Sequence, residues 1–200
     1  EGSSDVYESL VPRIQALKSN GITPGLAAIL VGEDPASKVY VRSKTRTFAS
    51  LDLFSETIRF DSDISQEDFI LKIQDLNVDN RFHGILVQFP LPKHIDEGSI
   101  ISHIDPVKDV DGFHPENVGY LTGGNPRFIP CTPKGIMRIL SFYGVELSGK
   151  HVVIIGRSNI VGRPVSILTS LKKSFSNATT TICHSGTQDI RYFTNQADVV

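Results

Sequence analysis

The sequence predicts a two-domain α/β protein. Short apolar runs of strand length alternate with amphipathic segments of helix length, the order that parallel sheets require. The runs are apolar throughout rather than at every second residue, as strands covered on both faces must be. A Gly- and Pro-rich stretch from Gly119 to Pro133 reads as a connector that divides the alternation into two series.

The first series opens with an amphipathic helix over Ser4–Asn20, stopped by Gly21. Leu26–Val31 is the first buried strand. Asp34-Pro35 then starts a helix predicted over Pro35–Ser50: the carboxylate accepts from the helix's first N–H groups, and Pro suits the first helical position. A helix over Gln66–Asn77 and a strand over Ile85–Val87 follow, the latter ended by Pro90 and Pro92. The second series comprises a strand over Val152–Ile155, a helix over Gly162–Lys173, a strand over Thr179–Cys183 and a third strand opening at Asp198. We place the boundary so that one domain spans residues 1–132 and the other 133–200. The sequence runs out inside that third strand, so the second domain is expected to be C-terminally incomplete.

Composition excludes several classes of function. Twenty Lys and Arg face 22 Asp and Glu, a formal net charge of -2, so no global field draws nucleic acid or an anionic membrane. No apolar run approaches the roughly 18 residues of a membrane span, and Glu1 to Asp5 lack the basic and apolar regions of a signal peptide. Cys131 and Cys183 form no CxxC pair, and the six His residues lack ligand spacing. Reduced thiols, a cytoplasmic location and no metal site are the expectation.

Candidate functional residues gather at strand exits. Ser37, Tyr40 and Lys44 stand three and four residues apart on the second helix and share one face. That helix leaves the carboxyl end of Leu26–Val31, where ligands bind in open α/β sheets. Gln88 leaves Ile85–Val87 at the same rim. Taken singly, Lys44 is an ordinary surface charge, Tyr40 a packing residue, and Asp109 and Asp111 are turn-formers. An EF-hand is excluded, because counting from Asp109 puts Tyr120 where the bidentate Glu belongs.

In the second series His151-Val152-Val153-Ile154-Ile155-Gly156 enters a glycine turn, and a helix follows near Gly162. Backbone N–H groups there could hold a pyrophosphate. The spacing Gly-x-Ser-x-x-x-Gly is not the usual G-x-G-x-x-G, so a tight turn with no ligand is an equal reading. The next strand ends in Cys183-His184-Ser185-Gly186, without the acid that bonds the ribose hydroxyl in NAD sites. With Arg157 in the turn, this favours a 2′-phosphate. Arg163 is a further basic candidate, more simply a surface charge.

Six segments in order resemble the bifunctional methylenetetrahydrofolate dehydrogenase/methenyltetrahydrofolate cyclohydrolase family. They are Val31 to Ser37, Tyr40 to Lys44, Gly84 to Pro92 (with Phe89 where Leu is commoner), Lys108 to Phe113, Pro130 to Gly135 and Gly156 to Pro164. The resemblance implies an N-terminal catalytic domain and a Rossmann-like NADP-binding domain, with folate in a cleft between them. It implies oxidation of methylenetetrahydrofolate with NADP and hydrolysis of the methenyl product, in the one-carbon metabolism that serves purine biosynthesis, by a homodimer. By the same resemblance Lys44 is the catalytic lysine, Gln88 its hydrogen-bonding glutamine and Tyr40 the tyrosine that packs on the folate ring. Asp111 holds the pterin, and Ser37 and Pro90 lie in the substrate site. Gly156, Arg157, Ser158, Gly162 and Ser185 would bind NADP, with Arg157 and Ser185 on its 2′-phosphate.

Overall fold

The structure, a computed structural model, describes the backbone of residues 2–200 and the side chains from residue 5 onward. The chain forms two compact units, one up to Val110 and one from Asp111 to Val200.

The first unit contains α1 (Gly2–Ser19), β1 (Gly25–Val31), α2 (Pro35–Ser50), β2 (Phe54–Phe60), α3 (Gln66–Val78), β3 (Gly84–Val87) and α4 (Glu97–His103). Its sheet has the order β2-β1-β3, and both pairings are parallel. All seven residues of β1 are buried, as a central strand covered on two faces requires. Phe69, Ile73 and Leu76 recur at helical spacing along α3 and meet Ile29, Ile85 and Val87 in the main core. Burying a side chain such as Ile73 contributes about 1.5–3 kcal/mol.

The strand order places the site. From β1 the chain passes through α2 to β2 on one side; from β2 it passes through α3 to β3 on the other. The connections therefore diverge between the carboxyl ends of β1 and β3, the position where open parallel sheets leave a crevice.

β2 was not expected. Its sequence, Phe54-Ser55-Glu56-Thr57-Ile58-Arg59-Phe60, lacks a continuous apolar run because an edge strand stays partly exposed along its length.

The second unit contains α5 (Pro115–Thr122), α6 (Cys131–Phe142), β4 (His151–Ile155), α7 (Gly162–Ser170), β5 (Thr179–Cys183) and α8 (Ile190–Thr194). β4 and β5 pair in parallel, with Ile155 opposite Cys183. Val165 and Leu168 are the buried apolar residues of α7, which packs on this sheet.

Three expectations for this unit need correction. The stretch Gly119 to Pro133 is not all connector: it holds the end of α5 and the start of α6. His114 caps α5 by accepting from Glu116 N at 3.1 Å, and Pro133 lies in the first turn of α6, where a missing N–H costs nothing. α7 ends at Ser170 rather than Lys173. The Ser170 hydroxyl donates back to the Ser166 and Ile167 carbonyls, and Leu171 turns to an extended backbone. The segment at Asp198 supplies a single parallel bridge, Val152 to Val199, rather than a strand. There the Asp198 carboxylate itself accepts from His151 N at 2.8 Å.

Candidate active site

On the first unit the site begins with the capped start of α2. Asp34 Oδ2 accepts from Ser37 N at 2.7 Å, and this bond holds the carboxyl below the usual range. Ser37 and Val41 face inward and are buried, whereas Tyr40 is 62% exposed. Lys44 is half-buried, and its Nζ lies 3.5 Å from Gln88 Oε1.

Gln88 is fixed twice. Its backbone N–H donates to Ile29 O at 2.9 Å, which extends the β1–β3 ladder by one residue. Its side-chain Nε2 donates to Phe89 O at 3.1 Å, leaving Oε1 turned toward the lysine. The amine thus faces a neutral amide rather than a carboxylate. The Phe89–Pro90 peptide is cis, and Pro90 is exposed.

The two aspartates that read as turn-formers when taken singly have different surroundings. Asp109 is 1% exposed and its backbone bridges Ile85 of β3. Lys108 anchors this segment by donating to Leu76 O at 3.1 Å and Asp79 O at 2.9 Å, at the carboxyl end of α3. Asp111 opens the second unit, is half-buried, and precedes Gly112 at φ +71°.

In the second unit the glycine turn is built by close approach. Gly156 has φ +134° and donates to Cys183 O at 2.7 Å. A Cβ on Gly162 would lie 2.3 Å from Gly156 O, so only glycine lets α7 start this near the strand exit. The N–H groups of Val161 and Gly162 donate to Ser158 Oγ at 3.1 and 3.3 Å. The helix start is therefore partly covered by Ser158, where the sequence suggested N–H groups open to a phosphate. Arg157, Ser158 and Arg163 are exposed.

Beyond β5, His184 Nδ1 accepts from Gly186 N at 3.0 Å and Thr187 Oγ1 accepts from His184 N at 2.9 Å. This tight turn presents Ser185 to solvent. Asp189, an acid close to this exit, accepts from Tyr192 N at 3.1 Å as the cap of α8. A surface depression of about 550 Å³ lies beside the turn, lined by Ile182, His184, Thr187, Asp189 and Tyr192 among others. The sequence reading missed α8 and this depression; Asp189 followed by Ile190, Tyr192 and Phe193 was the available signal. Among the described residues no group of three His, Cys, Asp or Glu could hold a metal ion, and no helix is long and apolar enough to cross a membrane.

Lys44 set against Gln88 at a strand exit, together with a strand–glycine–helix unit, defines a two-unit α/β enzyme of the dinucleotide-binding kind. Residues 2–111 match the tetrahydrofolate dehydrogenase/cyclohydrolase catalytic domain, and residues 130–200 match the NAD(P)-binding domain of the same family. The bifunctional protein FolD of Streptococcus pyogenes is 52% identical over 98% of this chain and 68% of its own length. The crystal structure of the bifunctional FolD methylenetetrahydrofolate dehydrogenase/cyclohydrolase from Campylobacter jejuni superposes with a TM-score of 0.93 at 44% identity, covering 99% of this chain and 70% of that one. The Trypanosoma brucei enzyme, solved with NADP and an inhibitor, gives 0.90 at 35% identity over 98% and 67%. The chain belongs to the tetrahydrofolate dehydrogenase/cyclohydrolase family and is an enzyme of folate-bound one-carbon interconversion, with both of the family's activities.

Proposed function

We propose that Lys44 is the proton-transfer group of the hydrolytic step, oriented by Gln88, and that Tyr40 and Asp111 hold the folate. Residues 1–132 would supply the folate half and 133–200 the NADP half. The observation that carries this reading is the approach of Lys44 Nζ to Gln88 Oε1 at the divergence of β1 and β3.

The two reactions ask different things of the protein. NADP, when bound, accepts the hydride from the methylene carbon. That loss leaves a methenyl cation and releases no proton from the carbon, so the protein's part is alignment. Hydrolysis then needs water to attack the cationic carbon and a ring nitrogen to be protonated as the ring opens. In this reading the neutral Lys44 amine takes a proton from the attacking water and returns it to that nitrogen. Tyr40, one turn earlier on α2 and exposed, is available to stack on a flat ring; the family resemblance adds Ser37, which is buried, and Pro90, which is exposed.

The second unit suits NADP. The close approach of Gly162 to Gly156 O leaves no room for a side chain at Gly162, and Arg157, Ser158 and Ser185 are exposed around the turn. Asp189 uses its Oδ1 as the cap of α8, and the end of β5 itself carries no acid. A surface depression adjoins Ser185. The Trypanosoma brucei relative, solved with NADP, supports the same choice. A homodimer, cytoplasmic and without affinity for nucleic acid, completes the reading; sedimentation at micromolar concentration tests the dimer.

The test of the folate assignment is Asp111→Ala. It should raise KM for methylenetetrahydrofolate and for the methenyl compound together. Unchanged KM for both would remove Asp111 from the site.

A further inference from the structure

Arg127 lies in the loop joining α5 to α6, and the reactions as described make no use of it. Its guanidinium meets α5 at three places. Nη2 lies 2.8 Å from Glu116 Oε1, Nη1 donates to Asn117 Oδ1 at 3.3 Å, and the central carbon stands 4.9 Å from the centroid of the Tyr120 ring. A lone surface ion pair would fix little. Here a planar fork engages a carboxylate, an amide that is 0% exposed and an aromatic face, so its direction is determined.

The start of the same loop is held separately. Lys173 Nζ donates to Gly124 O at 2.8 Å, and a Cβ on Gly124 would lie 3.5 Å from Leu171 Cδ2. Residues 124 to 127 are thus secured at both ends. The next residue, Phe128, closes on the Asp111 turn: a Cβ on Gly112 would lie 3.4 Å from the C, O and Cβ atoms of Phe128. A Cβ there would be in ordinary van der Waals contact, so Phe128 is the neighbour that lines this side of the turn, and the buried Gly112 is left-handed, a backbone that favours glycine.

We propose that Arg127 is a positioning residue for folate binding: by clamping the α5–α6 loop onto α5 it seats Phe128 against Gly112 and fixes the Asp111 carboxylate where it can hold the pterin. This rests on the assignment of Asp111 made above.

Arg127→Gln should raise KM for both folate substrates about fivefold to tenfold, roughly 1–1.4 kcal/mol. Both kcat values should stay within about twofold and KM for NADP should not move. A general loss of folded protein would do the reverse, lowering both kcat values at constant KM. In an Asp111→Ala background the same change should add nothing, because the group it positions is gone. If Asp111→Ala raises the folate KM and Arg127→Gln does not, or if the two effects add in full, Arg127 has no positioning role while the Asp111 assignment stands. If Asp111→Ala itself leaves KM unchanged, both fall. Should Arg127→Gln fail to fold, Tyr120→Leu, on an exposed position, carries the test: it should raise folate KM in the same direction, and an unchanged KM refutes the proposal.

Discussion

Lys44→Met should separate the two reactions. The substitution keeps an unbranched side chain of similar length on α2 and removes the amine. General acid–base groups supply about a hundred- to ten-thousand-fold, so methenyl hydrolysis should fall by that factor. Hydride transfer releases no proton and should fall far less. Gln88→Ala sets the scale of the supporting contact. At 3.5 Å the amine–amide approach is at the outer limit of a hydrogen bond, and both groups are half-buried. Such a contact contributes about 0.5–1.5 kcal/mol, or roughly twofold to tenfold in hydrolysis. Gln88→Ala should therefore sit well above Lys44→Met in residual activity. The assay starts hydrolysis from the methenyl compound and follows its disappearance, with dehydrogenation measured separately as NADPH formed. Hydrolysis at the parental rate in Lys44→Met would return Lys44 to an ordinary surface charge. Equal loss of both activities would mean that the lysine aligns substrate rather than moving protons.

Other expectations test the second unit and the scaffold. Arg157→Ala should weaken NADP by roughly tenfold, the lower end for a charged hydrogen bond because the side chain is exposed and screened, and should leave NAD use unchanged. Equal loss with both cofactors would show that Arg157 does not read the 2′-phosphate. Gly162→Ala forces a Cβ to 2.3 Å from Gly156 O, so NADP binding and thermal stability should drop together; a fully NADP-competent variant would refute the close-packed turn. Asp34, Asp52, Asp79 and Asp198 are each held below the usual carboxylate range, Asp34 by the Ser37 N–H, Asp52 by Lys18, Asp79 by Arg81 and Asp198 first by the His151 N–H. Their contribution is present above the unfolded value of about 3.9 and is lost as pH falls through their lower folded values. Denaturant midpoints should therefore decline below about pH 4, and Asp79→Asn should flatten that decline. An unchanged profile would show that the Arg81 pairing is absent in solution.

The parts of the fold that were legible in sequence are those where burial is uniform. Ala27 to Leu30 and Ile85 to Val87 are apolar because both faces of each strand are covered, and Asp34-Pro35 marks the start of α2 by its own chemistry. Their exits bring Lys44 and Gln88 to one rim, so this pair was legible too. β2 was not, since exposed edge residues such as Glu56 and Arg59 interrupt any apolar run. α5 and α6 were hidden because Pro133 and Gly119 read as breakers until their positions in the helices are known. The cap of Ser158 over Val161 and Gly162, and the reach of Arg127 to Glu116, Asn117 and Tyr120, depend on side-chain directions that spacing alone does not give.

Lys44 stands ten residues beyond Asp34 on one unbroken helix, a distance of about 15 Å at roughly 1.5 Å per residue. A rod of that length is a lever. A tilt of about 4° at the Asp34 end carries the amine about 1 Å, and a displacement of that size can cost on the order of a hundredfold in rate. Gln88 has no such arm, because its backbone is bonded directly to the sheet. The amide is then the fixed jaw of the site and the amine the moving one. Substitutions beneath α2, at the buried Val41 for example, remove no group assigned to folate or NADP, yet they should slow hydrolysis more than they slow hydride transfer.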